Sequence, residues 1–327
     1  MFDLISIGDA RIDNFVKLED AHLLCRKNSE TCELCLRYGD KIPVESFQML
    51  CAGNNANNAV GSARLNLKTA IYCMIGEDGN GHLIKKHLKD EGVDIRYVVE
   101  NKGMASENSV VINFQGERTI LVFHQPWSYD LPDLDRTKWI YFSSVSYSFH
   151  KTQLVKQLEN DLERTGAKLA FTPGTHQLNY GVKKYPRLLS LTTVLLVNLE
   201  EAKKILGFDI GEHIQIKKLL KGLADLGPRM VVITDGGNGS YCFDGERYYK
   251  MGIFPAKLVE MTGSGDAFAT ATIAALIHNQ PLAEAVRWGA ANGAAVVEEI
   301  GPQEGLLTYQ KMQERLKQHP KVVAKEI

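Results

Sequence analysis

Glu260-Met261-Thr262-Gly263-Ser264-Gly265-Asp266-Ala267-Phe268 joins an apolar, β-branched approach (residues 253–259) to a long Ala-rich helical pattern. Glycines here let main-chain N–H groups crowd together at the start of a helix, where the macrodipole already favours anions. A carboxylate on the rim of such a cradle is costly unless it is used. Asp266 reads as the group that takes a proton from a hydroxyl. The N–H groups of Thr262, Gly263, Ser264 and Gly265 would meanwhile neutralise charge growing on a transferring phosphoryl group. Asp is also a frequent helix cap, and the cradle alone leaves the two readings balanced.

Outward from that stretch, the chain has 327 residues, 44% hydrophobic and 24% charged, as in an ordinary globular protein with a large core. A formal net charge of −1 with no basic block argues against a sequence-independent grip on nucleic acid. No run is long enough to span a membrane, and residues 1–8 read as a first strand rather than a signal peptide. A cytoplasmic protein is expected. With no secretion signal, the six cysteines are expected as free thiols. Cys25, Cys32, Cys35 and His22 could supply four zinc ligands, but a single CxxC pair is thin support.

Strand-like and helical runs alternate over most of the length, which predicts an α/β fold with a mostly parallel central sheet. Strands are expected at 4–8, 69–75, 139–142, 168–171, 194–197 and 230–234. Amphipathic helices are expected at 80–91, 151–164, 213–226, 265–278, 281–298 and 308–317. Two segments, 11–50 and 93–125, break the alternation. The second holds strands 108–114 and 119–124 joined by Gln115-Gly116-Glu117-Arg118 as a hairpin turn. Together they predict a small β-sheet lid inserted into one domain spanning 1–327. Substrate would lie between lid and sheet at the carboxyl ends of the strands. An exposed lid edge offers a route to a homodimer.

Four asparagines in Gly53-Asn54-Asn55-Ala56-Asn57-Asn58 at a helix start are poor for helix propensity unless their amides are used. Capping accounts for one or two, and a substrate bearing several hydroxyls for the others. Asp9 and Asp13, just after the first strand, add acceptors on the same edge. Asn198 and Glu201, three apart after a buried-looking strand, could cap a helix or order waters around Mg²⁺, which keeps most of its hydration. The Gly-rich run from Thr234 to Gly239 suits either backbone contact with a nucleotide or a turn into 241–243.

In this combination and order the motifs resemble the PfkB, or ribokinase-like, family of ATP-dependent carbohydrate and nucleoside kinases over nearly the full length. Gly8-Asp9 with Asp13 is similar to the first-strand substrate motif, and Gly53 to Gly81 to the N-terminal signature. Asn198 to Glu201 is similar to the NxxE motif, and Thr262 to Phe268 to the C-terminal signature. The resemblance implies an α/β/α sandwich with a β lid, and transfer of the ATP γ-phosphate to a primary alcohol. By position it implies Asp266 as base, with Gly263, Ser264 and Gly265 as the anion hole. It places Asp9, Asp13, Gly53, Asn54 and Asn57 at the substrate, and Asn198 and Glu201 at phosphate and Mg²⁺. Thr234, Gly236, Gly239, Thr262 and Asn292 would line the nucleotide site. Departures are Ala52 for a usual Gly, Ser264 for a usual Ala, and Glu260 for a usual Asp, the last leaving K⁺ activation open.

The acceptor is expected to be a small sugar. An anionic sugar phosphate would need cations such as Arg11, Lys102 or Arg118. A nucleoside, as in an adenosine-type kinase, would need an apolar wall such as Phe123, His124, Trp127 and Tyr129. A non-catalytic binder of sugar or nucleotide is the alternative from another class, disfavoured because a mere binder has no use for Asp266.

Overall fold

A computed structural model describes residues 1–25, 32–115 and 117–327. Its strands are β1 (Phe2–Ile7), β2 (Arg11–Leu18), β3 (His22–Cys25), β4 (Cys32–Cys35), β5 (Val44–Ala52), β6 (Thr69–Gly76), β7 (Asp94–Asn101) and β8 (Asn108–Phe114). They continue as β9 (Glu117–Phe123), β10 (Thr137–Phe142), β11 (Lys168–Phe171), β12 (Thr192–Asn198), β13 (Met230–Thr234), β14 (Ser240–Phe243), β15 (Tyr248–Met251) and β16 (Lys325–Glu326). The helices are α1 (Asn54–Arg64), α2 (Gly79–Asp90), α3 (Leu154–Thr165), α4 (Thr175–Tyr180) and α5 (Pro186–Leu191). They are followed by α6 (Leu199–Leu206), α7 (Ile216–Ala224), α8 (Ser264–Ile277), α9 (Leu282–Val296) and α10 (Tyr309–Gln318).

The large sheet has the order β7-β6-β1-β10-β11-β12-β13-β14-β15-β16, parallel from β7 to β13 and antiparallel beyond. Its strands read as near-continuous apolar runs because both faces are covered. Alternate residues then separate into two cores. Ile5, Ile140, Leu169, Leu195 and Val231 pack with Leu158 of α3, Ile205 of α6 and Leu220 of α7. Leu4, Trp139, Ala170, Val194 and Val232 pack with the alanines of α8, Trp288 of α9 and Met312 of α10. The period of two in the strands thus builds an α/β/α sandwich.

A smaller sheet, β5-β2-β8-β9, stands apart from the large one. Its outer strand β9 is exposed throughout, including Leu121 and Phe123, and β5 exposes Phe47 and Met49. The segment expected in the lid from residue 93 divides: β7 pairs with β6 in the large sheet, and only β8 and β9 join the small one. Pairing of Phe114 with Glu117 shortens the turn expected at 115–118, and Gly116 lies outside the described residues.

The cysteine expectation is corrected in the β3–β4 ribbon, where Cys25 and Cys32 form a disulfide; Cys35, Cys51, Cys73 and Cys242 are free. That bond removes two of the four candidate zinc ligands. The other two, His22 and Cys35, pair with each other three residues along the strands, on the opposite face of the ribbon. Among the described residues no helix is long and apolar enough to cross a membrane.

Candidate active site

The carboxyl ends of β1, β10, β12 and β13 bring the motifs to one edge of the large sheet. Gly8 follows β1 at φ 153°, against Asn55 and the Ser144 carbonyl, with no room for a side chain. The chain then turns through Asp9 into β2. Gly53 caps α1 at φ 104°, and a Cβ there would lie 2.9 Å from the Ala10 Cα, so this turn and the start of α1 interlock. Asp9 is buried, ion-paired with Arg11, and accepts from the Asn55 N–H at 3.3 Å. Asp13 is buried and accepts from the Ser109 hydroxyl on β8 of the lid. Burial pushes the Asp13 carboxyl up, against the pull of Arg11.

The four asparagines divide by role. Asn55 is fully buried and donates to the Ile7 carbonyl at 2.7 Å, stitching α1 to β1. Asn58 donates to the Thr270 hydroxyl at 3.2 Å, stitching α1 to α8. Asn57 donates from Nδ2 to Asp266 Oδ2 at 2.8 Å and accepts from Gln303 Nε2 at 2.9 Å. Asn54 is the half-exposed member, in the first turn. Most of these amides are used inside the protein, which the expectation of hydroxyl ligands did not foresee.

Asp266 lies in the first turn of α8, half-buried. Gly263 caps this helix at φ 81° without a side-chain hydrogen bond, and its Cβ position is 2.5 Å from Pro302. The first-turn N–H groups of Gly265 and Asp266 have no intrahelical acceptor. A Cβ on Gly265 would meet nothing within 4 Å, so open space lies beside them. Burial, with Asp9 and Asp13 nearby, pushes the Asp266 carboxyl up to about 6, although the Asn57 hydrogen bond and Arg11 pull it down. Thr262 turns back: its N–H donates to Glu260 Oε1 at 2.8 Å and its hydroxyl to the same atom. That oxygen also lies 3.5 Å from Arg118 of the lid.

Further along the edge, Asn198 and Glu201 form a reciprocal capping box at α6, with N–H···O distances of 2.8 and 2.9 Å. Only Oε2 of Glu201 is used by this box, and burial pushes its carboxyl up. Asn198 pairs in register with Thr234 on β13. Residues 235–239 make a tight turn into β14, and a Cβ on Gly236 or Gly237 would meet nothing within 4 Å, whereas one on Gly239 would sit 2.1 Å from the Met251 carbonyl. Asn292 is fully buried; it donates to the Ala267 carbonyl and accepts from the Leu307 N–H, both at 2.9 Å. Its amide therefore ties α8 to the 301–308 loop instead of facing a nucleotide cleft.

Sequence reasoning missed Glu107 and His176. Glu107 is buried just before β8 with His124 3.4 Å away, and His124 meets His176 with ring centres 4.8 Å apart. His176 Nε2 is buried without a partner. Of the aromatic run from the end of β9 onward, Trp127 and Tyr129 belong to the core and Phe123 is exposed. Only fold geometry brings His176, from the start of α4, beside His124.

Residues 23–308 match the family model described as pfkB family carbohydrate kinase. An ATP-dependent 6-phosphofructokinase of Thermoanaerobacterium thermosaccharolyticum is 24% identical over 277 residues, covering 81% of this chain and 84% of that protein. Among solved structures, Arabidopsis thaliana ribokinase complexed with ribose and ATP is similar at TM-score 0.80 and 23% identity, covering 97% of this chain and 99% of that one. A Methanocaldococcus jannaschii nucleoside kinase is similar at TM-score 0.75 and 19% identity, covering 97% and 99%. These neighbours fit the ribokinase-like fold built above. The chain belongs to the pfkB family of carbohydrate kinases and is a phosphotransferase with an alcohol group as acceptor.

Proposed function

We propose that the protein transfers the γ-phosphoryl group of ATP to a primary hydroxyl of a small sugar, with Asp266 as the general base. The observation that carries this reading is the Asp266 carboxylate beside the unspent N–H groups of α8, with its protonation midpoint near 6. Such a group is mostly ionised at neutral pH and still basic enough to take a hydroxyl proton as the oxygen attacks. The N–H groups of Gly265 and Asp266 would then stabilise charge on the transferring group.

The donor set fits ATP with Mg²⁺. Open space beside Gly236, Gly237 and Gly265 leaves room for nucleotide and phosphates along the edge. Glu201 keeps one carboxylate oxygen outside its capping box, enough to orient waters of a hydrated cation. When bound, the cation would supply charge neutralisation at the phosphates. Thr234, Gly239 and Thr262 would frame the nucleotide through their backbones. Glu260 is already engaged by Thr262 and Arg118, so potassium dependence is best tested directly.

At the acceptor end Asp9 and Asp13 offer carboxylate oxygens to hydroxyls, with Gly53, Asn54 and Asn57 alongside. Arg11 is committed to Asp9, which favours a neutral polyol over a sugar phosphate. One observation favours a nucleoside instead: the rings of His124, His176 and Tyr147 form a contiguous cluster near Arg11 that could stack on a base. In this reading residues 1–327 form one kinase domain whose lid closes over the acceptor and excludes water. The apolar exposed strand β9 would pair with a second copy. ADP release measured against pentoses, hexoses, their phosphates and nucleosides tests the assignment. Turnover confined to phosphorylated sugars would overturn the neutral-polyol reading, and turnover with nucleosides alone would replace it.

A further inference from the structure

Asp266 is the end of a line of hydrogen bonds that starts near the surface. His87 Nε2 on α2 lies 2.7 Å from Gln303 Oε1. Gln303 Nε2 donates to Asn57 Oδ1 at 2.9 Å, and Asn57 Nδ2 donates to Asp266 Oδ2 at 2.8 Å. Asn57 and Gln303 are each 3% exposed, so neither amide can exchange these partners for bulk water. A carboxylate only accepts, and an amide has one accepting and one donating end. The orientation of each member is therefore dictated by the next.

We infer that Gln303 and His87 are positioning residues for the phosphotransfer base: through Asn57 they fix which end of its amide faces Asp266. This rests on the reading of Asp266 as that base. Gln303 supplies a donor to Asn57 Oδ1 and so turns the Asn57 NH₂ toward the carboxylate. His87, donating from Nε2, does the same for Gln303. The backbone at Gln303 is itself clamped, since its carbonyl accepts from Arg64 Nη1 at 2.6 Å and Arg64 is held by Glu91 at 2.7 and 2.9 Å. The outer end of the line borders a pocket of about 200 Å³ between β5, α2 and the 302–304 turn. Lid strand and base thus meet at the same turn, where Leu50 of β5 packs against Gly301.

An inverted Asn57 would point Oδ1 at the carboxylate and disfavour its ionised form. The other charged or titratable groups around Asp266 are Asp9 from the turn after β1, Arg11 and Asp13 from β2, and Tyr141 from β10. Around His87 they are Glu91 on α2 and Glu304 in the pocket wall.

The test compares Gln303→Glu, Gln303→Leu, His87→Gln and His87→Ala. Gln303→Glu keeps the size but replaces the donor by an acceptor, so Asn57 turns over. The acid limb of kcat/KM is then expected to move up by about one pH unit, a tenfold change in the ionised fraction at low pH. The ¹³C titration of the Asp266 carboxyl should move with it, while the KM for ATP changes less than about twofold. Gln303→Leu adds no charge and should move both in the same direction by less, which separates amide orientation from repulsion by a new carboxylate. His87→Gln retains a donor and should keep the wild-type limb, whereas His87→Ala should not. An unmoved Asp266 titration in both Gln303 variants would overturn the inference. The ¹³C titration needs no turnover, so it stands even if Asp266→Asn proves fully active and the base assignment fails.

Discussion

Two helix N-termini at the carboxyl edge of the large sheet are finished in opposite ways. At α6, Asn198 and Glu201 satisfy each other's backbone N–H groups in a closed capping box. At α8, Gly263 in the left-handed region offers no side-chain cap, the N–H groups of Gly265 and Asp266 have no intrahelical acceptor, and a carboxylate stands among them. A protein normally satisfies helix ends with its own side chains, since each missing cap costs about 1 kcal/mol. Leaving α8 open with Asp266 half-buried near Asp9 and Asp13 makes sense where a ligand completes the cap. The closed end satisfies itself; in the reading proposed here a ligand completes the open one.

The largest expected effect separates the two ends most sharply. Asp266→Asn should lower kcat by roughly 10²–10⁴-fold in a coupled ADP-release assay, and near-normal turnover would remove the contrast. The same variant should melt higher at pH 7.5. Burial raises this carboxyl from 3.8 to about 6, so the folded state binds its proton more tightly than the unfolded state, and stability falls as pH rises through that window. The gap corresponds to at most about 3 kcal/mol, which the neutral Asn would recover. A lower melting temperature for Asp266→Asn would mean that the carboxylate is structurally satisfied.

Gly263→Ala is the next test. Its left-handed backbone and the 2.5 Å approach to Pro302 leave no place for a methyl group, and about 2 kcal/mol should be lost in denaturant unfolding. ATP affinity, read by calorimetry, should fall as well because the cradle is distorted. The pH profile of the wild type sharpens the picture further. kcat/KM should drop about tenfold per pH unit below 6 as Asp266 takes up its proton. A flat profile down to pH 5 would place the base elsewhere.

The smallest effect concerns α6. Asn198→Ala should cost about 1 kcal/mol of stability with little change in kcat. Glu201→Gln should raise the Mg²⁺ concentration needed for half-maximal rate. If both variants change only the melting temperature, the capping box is the whole role of this motif and the two helix ends differ even more than proposed.

Much of this was legible in the residues. The apolar strands β11 (Lys168–Phe171) and β13 (Met230–Thr234) have the expected limits, and α2, α8 and α9 begin within a residue of expectation, because hydrophobic period and glycine placement act locally. The lid boundary was less legible. β7 reads as another strand, and nothing local decides between pairing with β6 and joining β8. The disulfide between Cys25 and Cys32 depends on β3 and β4 pairing in one register, which spacing alone does not supply. Asn292 shows the same limit: its side chain suits a nucleotide as well as a buried tie, and packing under the 301–308 loop selects the tie.

By itself the sequence determined the alternation of strands and helices, the family and the glycine-lined start of α8, since each depends on neighbours a few residues apart. Only the tertiary structure decided what the amides do. Asn57 meets Asp266 across 209 positions of chain, and Gln303 meets Asn57 across 246. Those partners are chosen by how α1, α8 and the 301–308 loop pack, because a buried polar group must be satisfied by whatever the fold brings within about 3 Å.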